Sequence, residues 1–414
     1  MVAALAAVPL LANAATPTFG SIVLANATDF GGEPGLDVDS TGYAYENAPS
    51  GGGASWVYRS GDGGATWSDF PAPVASPGGF DSNGAIDACD TYYMSDLYIG
   101  GATVHFTKDR GQTWISQPLT LASVPGDRQW IETGPGCGVL YESWTNVATG
   151  STWIAKSTDG GLTWPVQAEV SGATDIIGNL AVDKTTGDVY QAYAQGGYKM
   201  AVSHNGGGAW LTKTVYAAPT GVTLGDSFPV VTVDRAGNVY AVWEQDTVTG
   251  KGRTATHRFD IAYAYSTNHG DSWSAPKVIQ SGSTGSNVFP WAVGGAAGHL
   301  DVVWYRADAG NANPNGNSGP WFVDFAQSLN AATSSSTFTT VKATPVSIHN
   351  DVICTSGTGC SGASRDLLDF FEVALFPDGH AGIAFALDTT NVAAGTGNGD
   401  PRNAFVAQIG GDFA

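Results

Sequence analysis

The sequence predicts an all-β fold, a seven-bladed β-propeller closed by its own N-terminal strand. Two internal repeats carry that reading. The first is a turn spelled five times: SGDGGATW at 60–67, TKDRGQTW at 107–114, STDGGLTW at 157–164, SHNGGGAW at 203–210 and STNHGDSW at 266–273. Each copy follows S/T-x-D/N-x-G-x-x-W. The Asp or Asn can accept bonds from the amides of its own turn, the Gly permits positive φ, and the Trp covers the hairpin. Five copies in register require a duplicated unit, and a sixth, decayed copy is expected at Ser328 and Asn330.

The second repeat counts the units. G-x-x-Y or a near relative recurs at Gly42/Tyr45, Asp90/Tyr93, Gly138/Tyr141, Gly187/Tyr190 and Gly237/Tyr240, then as Gly298/Asp301 and Gly379/Gly382. Each places a turn before an alternating apolar segment such as NVYAVWEQ at 238–245 or HLDVVWYR at 299–306, the period-two pattern of a half-buried strand. A preceding strand (228–233) and a following one (261–265) that runs into the repeated turn complete a blade of four short strands. The seventh unit has no such turn, because its third strand, 404–409, ends the chain. A strand at 19–24 is available to complete that sheet and remove its open edge.

The chain therefore reads as a leader, residues 1–14, followed by a single domain, 15–414. VAALAAVPLLANA is a short apolar run ending in Ala12-Asn13-Ala14, an A-x-A cleavage pattern, and it is too short to span a membrane. It lacks a basic n-region, so the leader is expected to be truncated at its start. Export to the extracellular space or periplasm is the expectation. Four cysteines fit an oxidising compartment: Cys354 and Cys360 flank a short TSGTG turn, and Cys89 and Cys137 occupy matching turns of adjacent units, so both pairs are expected as disulfides. With 37 acidic against 17 basic residues and a net charge of −20, nucleic acid and anionic membranes are excluded as partners. A monomer is expected.

The repeat register sorts the few arginines. Arg128, Arg253, Arg258, Arg306, Arg365 and Arg402 fall on the face opposite the repeated turns, against Arg59, Arg110 and Arg235 on the turn face. Guanidinium forks bind carboxylates bidentately, so arginines around a channel mouth suit an acidic sugar. The same face gathers carboxylates and aromatics where first strands begin: Glu33, Asp81, DRQW at 127–130, FPW at 289–291 and RDLLDFFE at 365–372. Trp130 and Trp291 are equally suited to be core wedges or platforms for sugar rings.

The repeated turns match the Asp box. Together with the leader and the phrases DRQWIETGPG (127–136), FPVVTVDRAGNVYAVW (228–243), VFPWAVGG (288–295) and RDLLDFFEVALFPDG (365–379), they resemble the secreted sialidase-like, BNR-repeat family of propellers over nearly the whole mature chain. The resemblance implies an arginine triad on a sialate carboxylate, a Tyr/Glu nucleophile pair and an Asp acid/base, and it offers six blades as the alternative count. Two departures stand against it. The Phe/Tyr-Arg-Ile-Pro motif is replaced by GEPG at 32–35, and no arginine precedes Arg59.

The candidates are therefore this chain's own. Arg128, Arg306 and Arg365, with Trp130 and Trp291, are the substrate-binding set. Asp127, Asp366, Asp369 and Glu33 are candidates for acid and base, and Tyr305 for nucleophile, since glycoside hydrolysis needs two carboxyl groups or a tyrosine with a carboxylate partner. No cofactor is required, and a structural Ca²⁺ could use some of these carboxylates. His349 reads as structural. The expected function is a secreted, sialidase-like glycoside hydrolase acting on a sialic or uronic acid glycan. The alternative is a noncatalytic propeller that binds glycans or proteins.

Overall fold

A computed structural model describes residues 15–70, 78–98, 100–122, 124–225, 227–282, 285–308, 310–357, 360, 365–388 and 401–414; the expected leader lies outside them. Seven antiparallel sheets form a ring of seven blades, with essentially no helix. Blade 3 is typical: Gly126–Thr133, Leu140–Asn146, Ser151–Ser157 and Val166–Ala173 pair in chain order from the axis outwards.

The ring closes as the sequence predicts. Blade 7 contributes Glu372–Leu375, Ala381–Asp388 and Pro401–Gly410, and the N-terminal segment adds its outer strand. That segment is two short pieces, with Thr18 and Phe19 opposite Gly410 and Gln408, and Val23 and Leu24 opposite Phe405 and Ala404. The N-terminal segment and the last strand thus share one sheet, which joins the two ends of the ring.

Both repeats act as their residue types dictate. In the first box Asp62 Oδ1 accepts from the Thr66 amide at 2.9 Å, the Gly64 amide donates to Ser60 Oγ, and Trp67 Nε1 donates to Gly64 O. These bonds, chiefly from Thr66, hold the Asp62 carboxyl below its ordinary pKa, and Thr113 and Thr163 do the same for Asp109 and Asp159. The decayed copy keeps part of the pattern: Ser328 Oγ donates to Asn330 Oδ1, which also accepts from the Thr337 amide. At all seven G-x-x-Y positions the first residue is left-handed, from Gly42 at φ 88° to Gly379 at φ 89°, with Asp90 at φ 56° as the non-glycine member. An aspartate before the turn ties it to the next blade. Asp87 Oδ2 accepts from the Gly138 amide at 2.8 Å, and Asp234 Oδ2 from the Gly298 amide at 2.7 Å. Beside the first of these contacts Cys89 and Cys137 form a disulfide between blades 2 and 3, and Cys354 and Cys360 form the second.

The innermost strands depart from regularity at one height. Pairing with the second strand slips between Asp127 and Trp130 in blade 3, Ile177 and Leu180 in blade 4, and Val288 and Trp291 in blade 6. Such bulges bend the strand and re-aim its side chains. In blade 5 the strand expected over 228–233 begins only at Val230. Pro229, with no N–H to give the ladder, accounts for the later start.

Candidate functional site

The bulges in blades 3 and 6 bring Trp130 and Trp291 together with Phe228 and Phe370. Trp130 lies 5.4 Å from Trp291, 5.3 Å from Phe370 and 5.3 Å from Phe228, centroid to centroid, and these four rings plug the channel at mid-height. Trp130 and Trp291 are buried members of this plug and border the cavity beneath it, so the structure places them as wedges under the loop-face cleft.

Above the plug is a cleft of about 550 Å³ bordered by Glu33, Asp81, Asp127, Arg128, Arg365 and Asp369, with Phe228 and the segment Thr355 to Gly357 in its wall. Five of the ten expected catalytic and binding residues meet here. Arg128 forms the floor. Its guanidinium carbon sits 3.8 Å over the Trp130 ring and 4.3 Å over Phe370, its side chain is 7 % exposed, and Nη1 stands 3.7 Å from Glu33 Oε2. That separation is too long for a hydrogen bond. Among the described residues, none accepts from its Nε, Nη1 or Nη2. A buried guanidinium without acceptors carries a desolvation penalty that an entering anion would relieve.

The carboxylates have different surroundings. Glu33 is buried, and that burial, with Asp81 nearby, pushes its pKa well above the ordinary carboxylate value even against the pull of Arg128. Burial likewise raises Asp81, against Arg128 and with Asp127 adding to the rise. Asp127 Oδ1 accepts from the Arg128 amide at 2.9 Å, and Asp369 holds Arg365 bidentately at 3.0 and 2.8 Å. Glu33 and Arg128 are themselves left-handed, at φ 46° and 43°, and Leu368 beside Asp369 is at φ 54°. Non-glycine residues in this region cluster at functional sites, where surrounding structure sustains the strain.

The other candidates lie apart from the cleft. Tyr305 is fully buried, stacked on Phe371 at 4.0 Å, and its hydroxyl accepts from the Ala386 amide. Arg306 pairs with Asp324 at 3.1 Å and Asp308 at 3.3 Å, so it does not join Arg128 and Arg365 in a triad. Arg258 pairs with Asp260, Arg402 donates to Ala27 O, and the Arg253 side chain lies outside the described residues. Asp366 falls in a separate group with His349 and Asp388, whose ligand atoms lie within 4.8 Å of one another. His349 Nδ1 is 3.1 Å from Asp388 Oδ2 and Nε2 is 3.5 Å from Val352 O, so the imidazole is already oriented by protein groups. Two carboxylates and an imidazole suit a transition metal better than Ca²⁺, which takes six to eight oxygens.

Sequence reasoning left several cleft residues out of the candidate set. Asp81, which the sequence places at a first-strand entry, and Asp175, directly before the first strand of blade 4, both border the cleft, so an acidic residue at such an entry was the available signal. Thr145, Thr174 and the Thr355 to Gly357 segment carry no pattern that would mark them.

Similar solved structures share this ring. The chain matches polysaccharide lyase Uly1 at TM-score 0.53 and 10% identity, covering 96% of this chain and 98% of that one. It matches YCF48 bound to D1 peptide at 0.51 and 13% identity, over 95% and 98%. The GH93 α-L-arabinofuranosidase of Fusarium graminearum with arabinobiose matches at 0.50 and 12% identity, over 94% and 98%. These likenesses are likenesses of fold. Comparison with protein families and with curated proteins finds no match for the chain.

Proposed function

We propose that the protein is a secreted glycoside hydrolase whose axial cleft receives an acidic sugar, a sialate or a uronate. The observation that carries this reading is Arg128: a buried, acceptor-free guanidinium at the floor of a carboxylate-lined cleft. Its planar fork suits a sugar carboxylate, and the Trp130 and Phe370 rings fix its plane. Arg365 also borders the cleft, where it is paired with Asp369.

The carboxyl groups take complementary roles. Glu33 or Asp81, whose burial favours the protonated form, gives a proton to the glycosidic oxygen as the bond to the sugar carbon breaks. Asp127 or Asp369 takes a proton from the water whose oxygen forms the new bond to that carbon. The two disulfides are consistent with an oxidising destination, and no helix among the described residues is long and apolar enough to cross a membrane.

A noncatalytic glycan-binding role is the second reading, favoured by the bidentate Arg365–Asp369 pair, which occupies one of the four carboxylates. Sugar release by residues 15–414 from sialosides, uronides and neutral glycosides, with Arg128→Met alongside, separates the two. Release of an acidic sugar, lost in the variant, supports hydrolysis. Binding of the acidic sugar without release moves the assignment to a binding propeller. Release of neutral sugars alone, unaffected by the substitution, overturns both.

A further inference from the structure

The axial cleft is the first of three adjoining cavities, which together form a groove on the loop face. It shares Asp175, Gly225 and Thr355 with a second cavity of about 430 Å³, which also takes in Asp246, His257 and Phe259. The second cavity in turn shares His257, Asn313 and Asn315 with a third of about 630 Å³, on the loops of blades 5 and 6. Each has the volume of a small-ligand site, so the three adjoining cavities together have room for more than one sugar ring.

Its chemistry changes along its length. Among the described residues, both arginines that border the groove are at the axial end. Outward, the walls offer amides, hydroxyls and a hydrogen-bonded contact between His257 Nδ1 and Asp246 Oδ2 at 2.7 Å, with His257 stacked on Phe259 at 6.2 Å. Asn313 caps a short turn by accepting from the Asn315 amide, and Asn315 Nδ2 donates to Thr355 Oγ1 at 3.2 Å, tying the outer groove to the cleft wall. Amides and hydroxyls both donate and accept, which suits the hydroxyls of uncharged sugars and offers a carboxylate no counter-charge.

We infer that the ligand is an oligosaccharide with one acidic unit over Arg128 and several neutral units running outward past Thr355 and His257 to Asn313 and Asn315. This rests on the reading of the axial cleft as an acidic-sugar site. The test uses a disaccharide of terminal glucuronate on xylose, the hexasaccharide of the same series and uncapped xylohexaose, titrated calorimetrically into residues 15–414 and an Asn315→Trp variant. The hexasaccharide should bind at least about tenfold more tightly than the disaccharide, and the bulky ring at position 315 should collapse that ratio towards unity. Equal affinity for the two lengths, or a length preference that survives Asn315→Trp, overturns the groove while leaving the axial reading intact. Tight binding of xylohexaose equal to that of the acid hexasaccharide, or binding of neither acidic length, overturns the axial reading and the groove with it. Circular dichroism and thermal melting of the variant separate blockage from misfolding, and an Asn315→Ala variant, expected to reduce the ratio less than the tryptophan does, gives the same comparison should Asn315→Trp fail to fold.

Discussion

Arg128 Nη1 and Glu33 Oε2 face each other at 3.7 Å, and both residues are held in left-handed backbone on different blades of the ring. The pair is close enough to interact and too far apart to be saturated. Burial favours the neutral form of Glu33, which weakens its hold on the buried guanidinium. The cleft is built around a charge that its own protein leaves partly unanswered.

Arg128→Met should therefore separate function from stability. It removes a buried charge but keeps a flexible apolar stem against Trp130 and Phe370. We expect loss of acidic-sugar binding of about a hundredfold, in the range for a charge-assisted bidentate contact, with a Tm equal to or above that of the parent. Calorimetric titration and thermal melts check both; a lower Tm with unchanged binding would assign Arg128 to packing alone.

Catalysis should fail on the alkaline side. A general acid must be protonated to act, and Glu33 and Asp81 are both raised chiefly by burial. The rate should fall as pH rises through the acid's elevated pKa, and Glu33→Gln or Asp81→Asn should abolish the limb belonging to the acid in use. A pH profile of kcat/KM on an aryl glycoside with a good leaving group, which needs less protonation, should be flatter.

Stability should also decline as pH rises, through different groups. Glu142 and Glu372 are pushed by burial up to about 8, from an ordinary value of 4.5. The folded chain then holds more protons than the unfolded chain between those values, so their stabilising contribution is complete below the unfolded pKa and fades towards the folded one. Tm should fall on the order of 5 °C from about pH 5 to about pH 8 and then level off with respect to these groups. Glu142→Gln, neutral throughout, should make that slope shallower; an unchanged slope would show that Glu142 does not titrate in this range.

The repeats made the ring legible because turn chemistry is local: left-handed positions such as Gly42 and box residues such as Asp62 announce themselves within eight residues. The site was only partly legible. Glu33, Asp127, Arg128, Arg365 and Asp369 lie where first strands begin, and the repeat register carries such positions to the axis. Tyr305 and Arg306 sit at the end of a second strand, from which the tyrosine turns into the blade 6–blade 7 packing and the arginine towards Asp324. Choosing between those directions depends on neighbours far away in sequence, which periodicity does not encode.

The two disulfides should have separable effects. Cys89–Cys137 closes a span of 48 residues between two blades, whereas Cys354–Cys360 spans 6 and holds Thr355, Ser356 and Gly357 against the cleft. Chain entropy assigns about 4 kcal/mol to the first and about 2 kcal/mol to the second. The double variant C89S/C137S should lower Tm more and leave ligand affinity in place. C354S/C360S should lower Tm less and weaken binding, because the wall loses its tether; melts and titrations of both variants check the crossover.

The tightest test of the blade interface is a single methyl group. A Cβ at Gly111 would lie 1.1 Å from Phe70 Cε1, at a backbone φ of +75°. Phe70 is itself buried and packed, with Trp114 at 5.9 Å, Tyr45 at 6.5 Å and the Arg59 guanidinium 4.3 Å over its ring, so moving it disturbs all three contacts. Gly63 has the same backbone hand, φ +72°, with nothing within 4 Å. Gly63→Ala should therefore cost about 1 kcal/mol, the conformational penalty alone, while Gly111→Ala adds overpacking of about 1–3 kcal/mol. Denaturant unfolding of the pair measures the difference directly, and equal losses would mean that Phe70 can leave the space it fills between blades 1 and 2.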